Sequence, residues 1–238
     1  MNIQNADPCL DAEIVPCQFC PNRTRCGLRA LVGEVRGHSP TRIQMDEFRA
    51  GASIPIRPSR LYVVRSGAVK VDWNDAGNKN SIIDLCFPGQ LFALESMADF
   101  ELVHREFKAS IAMTSVCSVA CNIKGKSQAS KALCRRYSAA LATRILPTYE
   151  LTRVIQSGAQ ARVAFYIMKI IHAQATANSP EHRILPNVPR SDIAGYLRLR
   201  LETVSRVFSA FRKQGWIRGP VHRMDVVDPE AIEALVNP

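Results

Sequence analysis

The segment PRSDIAGYLRLRLETVSRVFSAFRKQGWI, residues 189–217, decides the fold. Ser191 is placed to N-cap a helix, and Asp192 suits its first turn, where free amides and the helix dipole favour a negative side chain. Ile193, Ala194 and Leu197 give that helix one apolar face. A short break follows at Arg198 to Arg200. A second helix then carries Leu201, Val204, Val207, Phe208 and Phe211 at spacings of three and four, the period of a buried helical stripe. Gly215 stands where a helix C-terminus favours left-handed backbone. Two short helices joined by a tight turn are the helix-turn-helix pattern. The other face of the second helix offers Glu202, Thr203, Ser205, Arg206 and Ser209. Such side chains suit base edges, since Arg forks onto guanine O6 and N7 and Glu accepts from cytosine N4. Between 190 and 223 there are eight Lys or Arg against two acidic residues, a balance suited to phosphate. An amphipathic helix pair with a solvated charged face would share the apolar stripe alone. Turn spacing, polar face and basic flank together favour DNA.

Outward from this segment, WIRGPVHRMDVVDP reads as a small β-hairpin, a wing, and Pro229 starts a last short helix. The whole chain of 238 residues has a net charge of +10, which points to an anionic partner. Its 47% apolar content is ordinary for a globular protein with a sizeable core. The N-terminus MNIQNADPCLDAEIVP lacks the basic and apolar regions of a secretory signal. The most apolar run, VAFYIMKII at 163–171, is too short to span a bilayer. A cytoplasmic protein with no membrane partner is the expectation, so the eight cysteines read as thiols or metal ligands before disulfides.

Four zones differ in texture. Residues 1–30 form a cysteine-bearing arm with little periodicity. Residues 31–124 show short strands broken by turns, as expected of a barrel or sandwich. RLYVVRSGAVKVDW reads as two strands around Ser66-Gly67, DWNDAGNKNSIIDLCF as a hairpin turning at Asp75, Gly77 and Asn78, and ASIAMTSVCSVACNI as two more strands. Residues 125–157 carry helical periodicity through Leu133, Tyr137, Leu141, Ile145, Leu151, Val154 and Ile155, with Pro147 expected to kink or break the run. Residues 158–238 hold a further helix at roughly 158–175 and the helix-turn-helix.

CQFCPNRTRC, residues 17–26, places Cys17, Cys20 and Cys26 together. Three close thiolates on an arm can wrap three corners of an iron–sulfur cage, closed by a remote fourth. Cys9, Cys86, Cys117, Cys121 and Cys134 are the candidates. Cys117 and Cys121 share a strand face, so periodicity does not choose between them. Four thiolates also suit structural zinc, and a thiol redox switch is a third reading. Arg23 and Arg25 could offset thiolate charge. No P-loop, GxGxxG, HExxH or GxSxG is present, so an enzyme is not expected.

SDIAGYLRLRLETVSRVFSAFRKQGWI, LYVVRSGAVKV, FPGQLFALESM and TSVC together resemble the CRP/FNR superfamily of bacterial transcription regulators over about residues 12–235. That resemblance implies an α+β fold: a cyclic-nucleotide-binding-like β-roll, a long dimerisation helix and a C-terminal winged helix-turn-helix. Cys17-x2-Cys20-x5-Cys26 with a distant Cys117 resembles the oxygen-sensing FNR-type branch. It implies that these four hold a [4Fe-4S] cluster sustaining an active homodimer under low oxygen. ETVSR resembles the base-reading motif of a palindromic site with TTGAT-like halves. Arg206 would take the guanine, Glu202 the complementary strand, and RNA polymerase would be a second partner. Pro21 and Arg25 depart from the familiar residues beside the cysteines. Arg198 replaces a turn Gly and Arg200 a capping Thr, and both could reach phosphate. Cyclic-AMP-binding members resemble GEL plus RSA, whereas this chain has Gly89-Gln90-Leu91 and FKASIAM, so no cyclic nucleotide is expected.

Overall fold

The structure is a computed structural model that describes residues 13–14, 17–32, 43–75, 78–98, 105–111, 113–121, 128–174, 184–220 and 223–236. The chain opens with β1 (Glu13–Ile14), a 3-10 turn at Cys17–Phe19 and α1 (Gly27–Val32). Seven strands among the described residues then follow the alternation of the sequence: β2 (Gln44–Phe48), β3 (Arg60–Ser66), β4 (Val69–Asp75), β5 (Asn78–Cys86), β6 (Leu91–Phe92), β7 (Arg105–Ala109) and β8 (Thr114–Ala120) complete a β-roll begun by β1. Its sheets run β1-β2-β8-β3-β6 and β5-β4-β7. The period of two sorts side chains between two cores. On β3, Tyr62 and Val64 face the inter-sheet core with Phe92, Phe107 and Val116. Leu61 and Val63 face the opposite side, toward Leu28 and Leu31 of α1 and Cys117 and Val119 of β8. Of the segment read as two strands, 109–123, the described residues hold the last residue of β7, Ala109, and the whole of β8; residues 112, 122 and 123 lie outside the described residues.

The α2 helix (Gln128–Val154) is 27 residues long and continues through Pro147. An internal proline costs about 3 kcal/mol. Packing on both sides offsets that cost. Tyr137 is buried on the β-roll, with its hydroxyl donating to the Leu94 carbonyl at 2.8 Å, and Val154 is buried in the C-terminal core. There α3 (Ala159–Gln174), α4 (Arg190–Leu197), α5 (Leu201–Lys213) and α6 (Pro229–Glu233) pack with a sheet of order β10-β11-β9, formed by β9 (Ile184–Leu185), β10 (Ile217–Arg218) and β11 (Met224–Val226). Two local expectations shift. The N-cap of α4 is Pro189 rather than Ser191, without a side-chain cap. Leu201 is 49% exposed, while Val204, Val207, Phe208 and Phe211 are buried.

The C-terminal core does not stop at the head. Ala68, Ile82, Leu85 and Phe87 of the β-roll belong to it. A polar junction lies beside this contact. The Asp84 carboxylate on β5 accepts from Lys169 Nζ of α3 at 2.6 Å and from the Arg144 guanidinium of α2. Lys169 also donates to the Tyr196 hydroxyl of α4 at 3.0 Å. Burial pushes the Asp84 carboxyl up, but the adjacent Lys169 and Arg144 charges outweigh it and hold it at about 2.

Because that value lies below the ordinary 3.8, the Asp84 contribution is complete above about pH 4 and disappears as pH falls through about 2. Replacing Asp84 with Asn should therefore cost about 3 kcal/mol at pH 7, the low end for breaking a buried pair, since 21% of the side chain stays exposed. Urea unfolding from pH 7 down to pH 2 should show the gap between wild type and Asp84→Asn closing over the acid limb.

Candidate nucleic-acid interface and cysteine site

The helix-turn-helix is built by α4, a three-residue break and α5. Arg198 occupies left-handed backbone at φ 54°, a conformation that disfavours a side chain by roughly 1–2 kcal/mol. Its position is held from three sides. Its guanidinium donates to Ser81 Oγ of β5 at 2.9 Å, its carbonyl accepts from Arg162 at 3.2 Å, and the Leu199 amide donates to the Ala194 carbonyl at 2.9 Å. Arg200 precedes α5 with extended backbone and makes no side-chain cap.

On α5 the apolar stripe is buried, and Glu202, Ser205, Arg206 and Ser209 stand exposed on the other side, with Thr203 half-buried between. Arg190 lies 3.4 Å from the Phe208 ring centre, stacking a cation on the core side of the helix. β10 and β11 pair through Ile217 with Val226 and Arg218 with Asp225, forming the wing; its tip at 221–222 lies outside the described residues. Gly219 permits this turn, because its φ is +96° and a Cβ would lie 2.5 Å from the Arg223 carbonyl oxygen.

The second site lies on the opposite face of the β-roll. Cys17 is in the 3-10 turn, Cys20 follows it, and Cys26 precedes α1. Cys117 sits mid-strand on β8, 9% exposed, in register with Val63 of β3 and Met45 of β2. α1 is too short to persist alone. Leu28 and Leu31, each a burial of about 1.5–3 kcal/mol, seat it on the layer that contains Cys117. α1 is also tied to α2, since Arg136 donates to the Leu31 carbonyl at 3.3 Å.

The four sulfurs share one electrostatic neighbourhood. Burial pushes the Cys17 thiol up, Cys26 and Cys20 add to this, and Arg29 and Arg65 oppose it. Burial likewise raises Cys26, while the Arg29 and Leu28 amides at the start of α1 donate to its sulfur and pull it back. Cys117 is pushed up to about 11, mainly by burial; Arg65 opposes through its charge and a hydrogen bond, and Cys20 and Cys17 add to the rise. Cys121 packs in the same apolar layer, but beyond burial it is affected only by Arg60, not by the arm cysteines. Cys86 is buried beside Asp84 and Arg144, and Cys134 is exposed on α2. Cys9 lies outside the described residues. Among the described residues, no three His, Cys, Asp or Glu side chains converge tightly enough to hold a single metal ion.

Arg65, Arg29 and Asn22 are site residues that the linear sequence does not mark. Arg65 is the unpaired residue of a β-bulge between Val64 and Ser66 on β3, and its side chain reaches Cys117 on β8, which becomes visible only once the register is known. Arg23 is exposed, whereas Arg25 is half-buried and hydrogen-bonded. At the Gly89 turn, Gln90 Oε1 accepts from the Phe87 amide at 2.9 Å, so this side chain caps its own turn. Ser110, near the position expected for a phosphate cassette, donates to Asp192 Oδ2 of α4 at 2.7 Å.

Residues 161–235 match the family described as the Crp-like helix-turn-helix domain. The transcriptional activator protein Anr of Pseudomonas protegens is 25% identical over 239 residues, covering 100% of this chain and 96% of its own. The anaerobic regulatory protein of Haemophilus influenzae is 23% identical over 172 residues, 71% of this chain and 65% of that one. The structure of FixK2 from Bradyrhizobium japonicum superposes with a TM-score of 0.67 at 21% identity, covering 81% of this chain and 96% of its own, which establishes a shared fold.

Two classes of outcome should separate base readout from phosphate contact on the exposed face. Arg206→Ala should lose about 1–3 kcal/mol of discrimination at one base pair. Arg200→Ala should weaken binding evenly across sequences and lower the salt slope by about one. Fluorescence anisotropy with single-substituted duplexes over a salt series measures both.

Proposed function

The chain belongs to the CRP/FNR superfamily of transcription regulators, and we propose that it is an oxygen-responsive member whose Cys17, Cys20, Cys26 and Cys117 hold a [4Fe-4S] cluster. It is a DNA-binding regulator rather than an enzyme. The observation that carries the cluster reading is the seating of the cysteine arm on the sheet face that holds Cys117: Cys26 and α1 pack against the apolar layer containing Cys117, and the Cys20 and Cys17 sulfurs act on that thiol. The donor set fits the group. The sulfurs come from both the arm and the sheet, and Arg65 and Arg29 supply positive charge against thiolates. When bound, such a cluster supplies an oxygen-labile cross-link between the arm and β8. The Haemophilus relative is called an anaerobic regulatory protein, which supports an oxygen-linked role.

The protein's own residues carry the rest of the proposal. The arm presses α1 onto the β-roll, and Arg136 and Tyr137 fix α2 against α1 and the Leu94 carbonyl. Seating of the arm thereby sets the position of α2. Leu146 and Tyr149 lie exposed along α2, 62% and 69% accessible, and give an apolar strip for a second copy of the chain. A homodimer presents two α5 helices to successive major grooves about 34 Å apart and selects a palindrome of TTGAT-like halves. Arg206 takes the guanine, Glu202 the opposite strand, Thr203, Ser205 and Ser209 flank them, and Arg198 and Arg200 approach phosphate. The division of labour is an arm at 1–30, a β-roll sensor at 31–124, a dimerisation helix at 125–157 and a winged head at 158–238. No helix among the described residues is long and apolar enough to cross a membrane. The proposed setting is the cytoplasm, with RNA polymerase as protein partner.

Purification under strict anoxia with iron and sulfide analysis tests this directly. Wild type should be coloured and should bind the palindrome, losing both properties in air. Cys117→Ala should lose iron and anoxic binding, and Cys86→Ala should keep them. A colourless wild type that binds zinc, or one that binds DNA equally with and without air, would replace this reading with a structural-zinc or thiol-switch regulator.

A further inference from the structure

The loop between Cys20 and Cys26 makes contacts that spacing alone does not require. Asn22 is only 3% exposed. Its amide nitrogen donates to the Arg65 carbonyl on β3, and its Oδ1 accepts from Arg25 Nε at 2.9 Å and also from Arg25 Nη2. The remaining arm of the same guanidinium, Nη1, donates to the carbonyl of Gln174 at 3.1 Å. Gln174 is the last residue of α3. Arg25 is therefore clamped by two nitrogens on one side while it holds the carboxyl end of a 16-residue helix on the other, where the helix dipole favours a cation. The loop is pressed down behind this contact. The Gly27 amide donates to the Gly89 carbonyl at 2.8 Å, and a Cβ on Gly89 would lie 2.9 Å from the Arg25 carbonyl oxygen. Along its length α3 buries Val163, Ile167 and Ile170 in the core that carries α4 and α5.

We infer that residues 20–26 form a strap that passes the state of the cysteines to the reading head within one subunit, through Asn22 and Arg25 to the end of α3. This rests on the cluster reading above. Cys20 and Cys26 stand at the two ends of the strap, and ligation of both fixes it in place. With both ends free, the hydrogen bond from Arg25 to the Gln174 carbonyl competes with water. Signal then reaches the head by a path that does not pass through α2 or a second subunit. Arg25 acts here as a positioning residue.

The test uses full-length protein with Arg25→Gln, which removes the charge and the fork, and Asn22→Ser, which removes the middle link. Iron and sulfide content, hydrogen exchange of residues 170–174, and affinity for a duplex with inverted TTGAT halves are measured under anoxia and after air exposure. Each variant should keep wild-type iron and sulfide under anoxia. Exchange at 170–174 should accelerate, and the anoxic-to-air affinity ratio should fall about fivefold or more. Iron-loaded variants with the wild-type ratio would overturn the strap. Variants that lose iron would also overturn it, since Arg25 would then act on ligation. Wild type without iron or sulfide would instead defeat the cluster reading; in that case unchanged exchange at 170–174 in Arg25→Gln would overturn the strap as well.

Discussion

One carboxylate joins the parts of this protein. Asp84 lies on β5 of the β-roll, yet its oxygens are bonded to Lys169 of α3 and Arg144 of α2, and Lys169 reaches on to Tyr196 of α4. Sensor, long helix and head thus meet on one side chain. The arrangement adds little net stability by itself, since each charge loses water on entering the junction. Its effect is positional. Removing the anion would leave two cations crowded at one partly buried point, so only geometries that bring all three elements to Asp84 avoid that cost. An apolar contact of equal area would tolerate sliding.

The same logic recurs at the second junction between sheet and head. Asp192, buried at the start of α4, accepts from Lys70 Nζ at 3.1 Å and from Ser110 Oγ at 2.7 Å, and Arg198 reaches Ser81 from the turn of the reading head. These partners lie on or beside the β4, β5 and β7 sheet, whereas the cysteine site belongs to the opposite sheet with β3 and β8. Two polar junctions therefore hold the head from one side of the roll, and the arm loop reaches it from the other.

The helix-turn-helix was legible because its signals are local: an apolar stripe of period 3.6, a break and a glycine past the end of α5. The places where local reading fails are also specific. Ser191 has the chemistry of a cap, but Pro189 takes the position, since its fixed φ and missing amide suit a helix entry. Leu201 fits the stripe by spacing yet lies at the first turn, before α5 reaches the core. Pro147 should interrupt a helix by its own chemistry, and α2 continues because it is anchored in a different core on each side. α1 escaped notice because six residues carry too little periodicity, and tertiary contacts supply the stability they lack. Parity placed Cys117 and Cys121 on one strand face and could go no further. The choice between them depends on where the arm lands across the sheet, which is a long-range fact.

Arg25 shows how a departure from a family pattern can be read physically. An apolar residue before Cys26 would bury itself against the roll and end the chain of contacts there. A guanidinium in that place cannot be buried without partners, and burial lowers its proton affinity while the nearby Cys20 sulfur raises it. The structure supplies those partners from Asn22 and the end of α3. A side chain that must find hydrogen-bond acceptors has thus drawn the cysteine loop and the head together. The same requirement makes the contact sensitive to the loop's position, because a small retreat of the loop takes Arg25 Nη1 out of bonding range of the Gln174 carbonyl while an apolar side chain would still be touching its neighbours.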